Sequence, residues 1–251
     1  MDGADEDGWS AVAGEWAELW GGFSDPARRA VVAATGIGRA SRVLDIGCGS
    51  GEFLAMLDGI GADAAGIDPA PGMVALARAA APKADVQTAS AESLPWSDGS
   101  FDVVCAFNAL QFAEDTLDAV AEMVRVTKPG GLIAVANWAE RSRNDIDTIE
   151  EALAVADGEE PIPDGDLRPE GGLESLFAEA GLKLVVADIV EVLWTASDDE
   201  TLVRGVLLGE DAKGQAAGAA TVLSAAAPFR TGDGGYRLRN AFRLAVARTP
   251  A

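Results

Sequence analysis

Apolar residues along this chain fall into two alternating rhythms, short continuous runs and stripes of helical period, and the alternation predicts an α/β architecture with a mostly parallel sheet. The first stripe is Trp9, Val12, Ala13, Trp16, Leu19 and Trp20, at i, i+3, i+4, i+7, i+10 and i+11, with Glu15 and Glu18 on the opposite face. Residues 1–8 ahead of it are polar and glycine-containing and read as a disordered tail. A second helix starts at Pro26 and runs to Thr35, before Gly36. Val43, Leu44 and Ile46 then suit a strand buried on both faces, and Phe53, Leu57 and Ile60 return to one side of a helix. The two rhythms repeat through a strand at 64–68, a helix over Met73, Leu76, Ala77 and Ala80, and strands at 84–88 and 101–107. A helix over 115–127 should bury Leu117, Val120, Ala121 and Val124 and stop at the breaker Lys128-Pro129-Gly130-Gly131, ahead of a fifth strand at 132–138. Beyond it the pattern loosens: a polar helix over 140–158, a loop rich in proline and aspartate over 159–169, and a helix over 172–180. A long strand over 183–194, two helices within 198–227 and a last strand-like stretch within 237–248 complete the chain.

Chemistry concentrates where the first strand meets the next helix, in Asp45-Ile46-Gly47-Cys48-Gly49-Ser50-Gly51-Glu52. Alternate glycines strip Cβ atoms from the turn, so a ligand can lie against the main chain at a helix N-terminus. A dinucleotide fingerprint would need a third glycine at 52, where Glu52 stands, and a phosphate loop would need a lysine that is absent. Glu52 would also repel a pyrophosphate. Asp45, two residues before the first glycine, suits a cationic, amine-bearing ligand instead. On these grounds a nicotinamide-dependent oxidoreductase is disfavoured.

Val43 to Phe53 resembles motif I of the class I S-adenosylmethionine-dependent methyltransferases, and the chain resembles their small-molecule type of ubiquinone and menaquinone biosynthesis and secondary metabolism. Further matches follow in order. Asp68 ends the second strand 68 − 45 = 23 residues after Asp45, as motif II does, where it would accept both ribose hydroxyls; with Pro69 and Pro71 following, it also reads as a helix cap. Residues 122–131 match the motif that closes the family's core, so the likeness spans residues 42–138. The resemblance implies a Rossmann-like seven-stranded sheet, mostly parallel, with helices on both faces, an antiparallel last strand and a helical cap. It implies S-adenosylmethionine as cofactor, S-adenosylhomocysteine as product and no metal. Carried over by position, the cofactor would meet Asp45, Gly47, Cys48 and Gly49 at the first turn, then Asp68, Pro69 and Met73. The adenine would lie by Ser90, Ala91 and Glu92, and Asn108 would close the site. Ser90 departs from the family, which carries an aspartate there, and implies a weaker adenine contact. Acceptor contacts would come from Trp16, Trp20, Gln111, Phe112 and Trp138. Residues 1–251 read as one domain: an N-terminal helical lid over 1–38, a cofactor core over 39–138, a cap insertion over 139–170 and the rest of the sheet over 171–251. For the tryptophan helix, lid and plain core packing fit the pattern equally.

Charge and composition narrow the partners. The formal net charge of −22 repels phosphate backbones and anionic headgroups, so neither nucleic acid nor membrane is expected as partner; a small-molecule acceptor is what the resemblance implies. The chain has no histidine and two cysteines, Cys48 and Cys105, which removes the usual zinc sites, Ser-His-Asp and Cys-His mechanisms and a disulfide framework. With an acidic N-terminus and no long apolar run, a cytoplasmic protein is expected, as monomer or homodimer. Methyl transfer needs alignment more than acid–base equipment, so no catalytic base is assigned. The alternative function is a protein of the same fold that binds the cofactor or its product for cyclisation or regulation.

Overall fold

A computed structural model describes residues 6–161 and 163–251. Seven strands form one sheet: β1 (Arg42–Ile46), β2 (Asp63–Asp68), β3 (Asp85–Thr88), β4 (Phe101–Phe107), β5 (Thr127–Trp138), β6 (Lys183–Ala196) and β7 (Tyr236–Arg248). Their order is β3-β2-β1-β4-β5-β7-β6. The pairs from β3 through β5 are parallel, whereas β7 runs antiparallel to both β5 and β6. This is the expected seven-stranded, mostly parallel sheet. Because the order reverses between β1 and β4, the connections leaving those two strands diverge, and the cleft of an open α/β sheet opens at their carboxyl ends.

Strand period distributes the core between two faces. Val43, Val103, Ala134 and Phe242 share one apolar cluster with Phe53 and Leu57 of α3 (Glu52–Ile60) and with Ala27 and Val31 of α2 (Asp25–Thr35). Leu44, Ile46, Val104 and Ile133 share the other with α5 (Thr116–Val126) and α7 (Gly172–Glu179). Asp45 alternates with Leu44 and Ile46, so its side chain belongs to the face covered by α2 and α3. That placement explains its burial.

The remaining helices are α1 (Glu6–Leu19), α4 (Pro71–Ala80), α6 (Asp145–Asp157), α8 (Asp199–Val206) and α9 (Ala212–Ala226). Of the expected disordered tail, residues 1–5 lie outside the described residues, while residues 6–8 already belong to α1. Two further expectations are corrected. α5 buries Ala119, Val120, Met123 and Val126, leaving Leu117 36% exposed. Apolar residues occupy most of this helix, so periodicity alone left its rotation open and contact with the sheet decided it. The breaker at 128–131 likewise lies inside β5 rather than ahead of it. The register passes from Phe101↔Thr127 to Val103↔Leu132, two residues against five, so three extra residues are held in a bulge. Gly130 has φ +71° there, and Pro129 is tolerated because a bulge frees it from donating to the ladder. The expected cap includes residue 162, outside the described residues; its helix α6 buries Ile146 and Ile149 and packs on α9 and β7.

Candidate functional site

The turn after β1 is shaped by three glycines with positive φ, at 64°, 53° and 94° for Gly47, Gly49 and Gly51. A Cβ on Gly47 would come within 2.5 Å of the Ala109 Cβ, so that glycine is required by the protein itself. Gly49 differs. The nearest atom to a Cβ there would be Trp16 Nε1, 4.0 Å away, so the space over Gly49 is floored by bare main chain and roofed by an indole. Cys48 is buried beside it, and its backbone N–H donates to the Ile67 carbonyl at 2.8 Å. Burial pushes its thiol well above the ordinary range.

Asp68 binds this turn to the end of β2. Its Oδ2 accepts from the Gly49 N–H at 2.9 Å and its Oδ1 from the Ala70 N–H at 3.0 Å. The helix-cap reading is corrected: α4 has Ala70 at its N-cap with no side-chain cap bond, and Asp68 instead closes the turn on Ala70, while each of its oxygens keeps a second lone pair for a ligand hydroxyl. Burial raises its pKa against the pull of the two N–H donors. Asp45 is 3% exposed and its Oδ1 has no hydrogen-bond partner. Burial raises its pKa to about 8; Arg28 opposes the rise while Glu52 and Asp68 add to it. A buried carboxyl group without a partner is costly. A cationic donor delivered by a ligand would relieve it.

α1 lies across the turn as an aromatic strap. Trp9 meets Trp16 edge-on at 5.3 Å and Phe112 at 5.7 Å, and Trp16 stacks with Trp20 at 6.0 Å. The Gly72 N–H donates to Ser10 Oγ at 3.1 Å, fixing the start of α1 to the start of α4, where Met73 is buried beneath Ala13, Trp9 and Trp16. The end of α1 is anchored elsewhere. Trp20 stacks on Trp194 at 4.4 Å and donates to the Gly205 carbonyl at 3.0 Å, and Trp194 donates to the Leu19 carbonyl at 2.8 Å.

The other expected site residues divide into those at the cleft and those used up by packing. Asn108 follows β4 with φ +51°, a left-handed conformation asparagine tolerates, and its Oδ1 accepts from Gln111 Nε2 at 2.9 Å. Phe112 is 45% exposed beside Trp9. Pro69 is half-buried between Asp68 and Ala70, Ala91 is half-buried, and Ser90 is exposed. Glu92 is half-buried, and its Oε1 accepts from the Glu114 N–H at 2.8 Å, tying two loops together. Trp20 is buried in the apolar face, whereas Trp138 is half-buried and packs against Phe23 and Phe242 at 5.0 and 5.1 Å. Arg28 was missed. It approaches Asp45 from α2, a helix that no motif marks, and only the fold brings the two together.

Residues 44–135 match a family model described as a methyltransferase domain. Over this stretch the chain is similar to methyltransferase domains. Demethylmenaquinone methyltransferase of Renibacterium salmoninarum is 37% identical over 111 residues, 44% of this chain and 47% of that protein. The chain thus matches about half the length of that curated relative. Its methyltransferase fold is shared with a Bacillus halodurans protein (TM-score 0.64, 16% identity, 89% of this chain and 99% of that one). It is also shared with the [4+2]-cyclase SpnF (TM-score 0.61, 21% identity, 93% and 83%). No helix among the described residues is long and apolar enough to cross a membrane.

Proposed function

We propose that this chain is an S-adenosylmethionine-dependent methyltransferase acting on a small, partly apolar acceptor by in-line transfer. The observation that carries the reading is the pairing, across one glycine turn, of Asp68 with spare lone pairs and Asp45 with an unpartnered oxygen. An adenosine ribose and an α-ammonium satisfy these two demands together. In this reading Asp68 accepts the ribose hydroxyls and Asp45 the ammonium. Gly47, Cys48 and Gly49 give main-chain contact, and Pro69 and Met73 back the nucleoside. Ser90 and Ala91 border the adenine, and Asn108 closes the site from β4. The cofactor supplies an electrophilic methyl group on sulfonium. The chain's residues align the acceptor and exclude water: Trp16 roofs the turn, while Gln111 and Phe112 stand at its mouth. The acceptor nucleophile supplies its own reactivity, and no residue is assigned as base.

The name of the 37% identical relative, demethylmenaquinone methyltransferase, supports a flat, quinone-like or phenolic acceptor. The aromatic strap over the turn is the surface such a ring would meet. The chain is taken to work as a single domain, residues 1–38 as lid and 139–170 as cap, in the cytoplasm, as monomer or homodimer. The first test is calorimetric titration with S-adenosylmethionine, S-adenosylhomocysteine and NAD. Micromolar binding of the two sulfur nucleosides and none of NAD is expected. Binding of NAD alone would overturn the assignment. Methyl transfer to a panel of quinols and phenols, followed by mass spectrometry, then separates transfer from binding without transfer.

A further inference from the structure

We propose, resting on the methyl-transfer reading above, that Asn137 is a specificity-determining residue whose amide oxygen accepts from a hydroxyl of the acceptor, so that the site selects ring compounds carrying an O–H donor. Asn137 is the penultimate residue of β5 and is 3% exposed, and its buried Oδ1 has no hydrogen-bond partner. Few buried polar atoms are left in that condition. Ala134 and Ala136 belong to one apolar cluster and Ile133 and Val135 to the other, so alternation puts the Asn137 side chain on the face covered by α5 and α7. An amide there ends an apolar series.

Its place in the sheet ties it to the cleft. Phe107 of β4 is in register with Ala136, and the Asn108 N–H donates to the Ala136 carbonyl at 2.8 Å, so Asn137 stands at the carboxyl edge beside Asn108. Leu110, in the helical turn Leu110–Phe112 after β4, and Leu167, in the cap, share the apolar cluster of that face. A ring entering past Gln111 and Phe112 on that side meets apolar side chains and one amide oxygen. The protein's own donors are committed elsewhere. Arg243, directly across from Asn137 on β7 and therefore on the same face, gives Nε to the Arg168 carbonyl at 2.9 Å and Nη2 to Glu140 Oε2 at 2.6 Å. Asn144 Nδ2 donates to the Ala139 and Glu140 carbonyls, both at 2.9 Å, and Gln111 Nε2 to Asn108 Oδ1. What Oδ1 lacks is a donor brought by a ligand. An amide oxygen accepts hydrogen bonds without taking a proton, so Asn137 orients a hydroxyl and is no base.

The test uses 2-naphthol and 2-fluoronaphthalene, which match in shape while only the first carries a hydroxyl donor. Equilibrium dialysis measures both against the wild type, Asn137→Leu and Asn137→Ala, with S-adenosylhomocysteine at saturation. A hydrogen bond to a buried, otherwise unpaired oxygen corresponds to about tenfold in affinity. Each variant should therefore lower the ratio of naphthol to fluoronaphthalene affinity about tenfold, with fluoronaphthalene held as well as before or better. Without ligand, Asn137→Leu should melt at or above the wild type, because an unpaired polar atom leaves the core. Asn137→Ala decides both readouts if the leucine variant does not fold. A ratio unchanged in a folded variant, a wild type that binds no naphthol, or a melting temperature lowered by more than about 5 °C, the mark of a structural partner for Oδ1, overturns the proposal. If calorimetry shows no S-adenosylhomocysteine bound to the wild type, the cofactor reading falls first and this inference with it.

Discussion

Asp68→Ala should weaken S-adenosylhomocysteine binding by about 100-fold or more and also cost about 2 kcal/mol of stability. Two hydrogen bonds from ribose hydroxyls to a carboxylate are worth about 1.5–3 kcal/mol each, and every 1.4 kcal/mol is about tenfold. The stability cost has a separate origin. The N–H groups of Gly49 and Ala70, at 2.9 and 3.0 Å from the carboxylate, lose their acceptor, and an unpaired buried donor costs about 1–3 kcal/mol. Asp68→Asn is no gentler control, because its amide nitrogen would turn a donor toward one of these donors. Calorimetric titration and urea unfolding of the same preparation measure the two effects. Should binding fall less than about fivefold in a folded variant, the ribose lies elsewhere.

How much of this was legible in the sequence follows from the range of the forces involved. The glycine turn and the burial of Asp45 were readable because they lie within one strand–turn–helix unit, and the position of Asp68 because it ends the strand that follows. The mostly parallel, seven-stranded sheet with its antiparallel last strand followed from the family pattern, while its strand order was read from the structure. What escaped depended on contacts distant in sequence. Trp20 carries the same helical phase as Trp16, yet it stacks on Trp194, 174 positions away (194 − 20), and is lost to the cleft. Glu92 binds a backbone N–H 22 residues on. Arg28 and Asp45 are neighbours only because α2 packs on the face of the sheet that Asp45 enters, a fact no local pattern encodes. The rotation of α5 escaped for a different reason: its apolar residues encircle too much of the helix to choose a face.

Asp45→Asn should make the protein more stable at neutral pH and a poorer binder. Burial raises the Asp45 pKa from 3.8 to about 8, with Glu52 and Asp68 adding and Arg28 opposing. Near pH 4 and below, folded and unfolded states both hold the proton. Between about 4 and 8 the unfolded chain gives it up while the folded one keeps it, so this group removes stability as pH rises, at about 1.4 kcal/mol per pH unit. At pH 7 that amounts to about 4 kcal/mol as an upper figure, reduced by whatever water reaches the side chain. Asparagine does not titrate. The variant should therefore melt several degrees above the wild type at pH 7.5, with the gap closing toward pH 4.5; a gap independent of pH would show that Asp45 does not titrate in that window. Binding should move the other way, with S-adenosylhomocysteine weakened about tenfold or more, because the ammonium loses an anionic partner. The two effects share a proton. An ammonium settling against Asp45 favours its ionised form, so binding to the wild type at pH 7 should release a proton, seen as a binding enthalpy that varies with the ionisation enthalpy of the buffer. In Asp45→Asn that variation should vanish. A site that keeps a carboxyl group buried at a cost to folding, and recovers the cost when an ammonium arrives, is selected for its ligand and not for its stability.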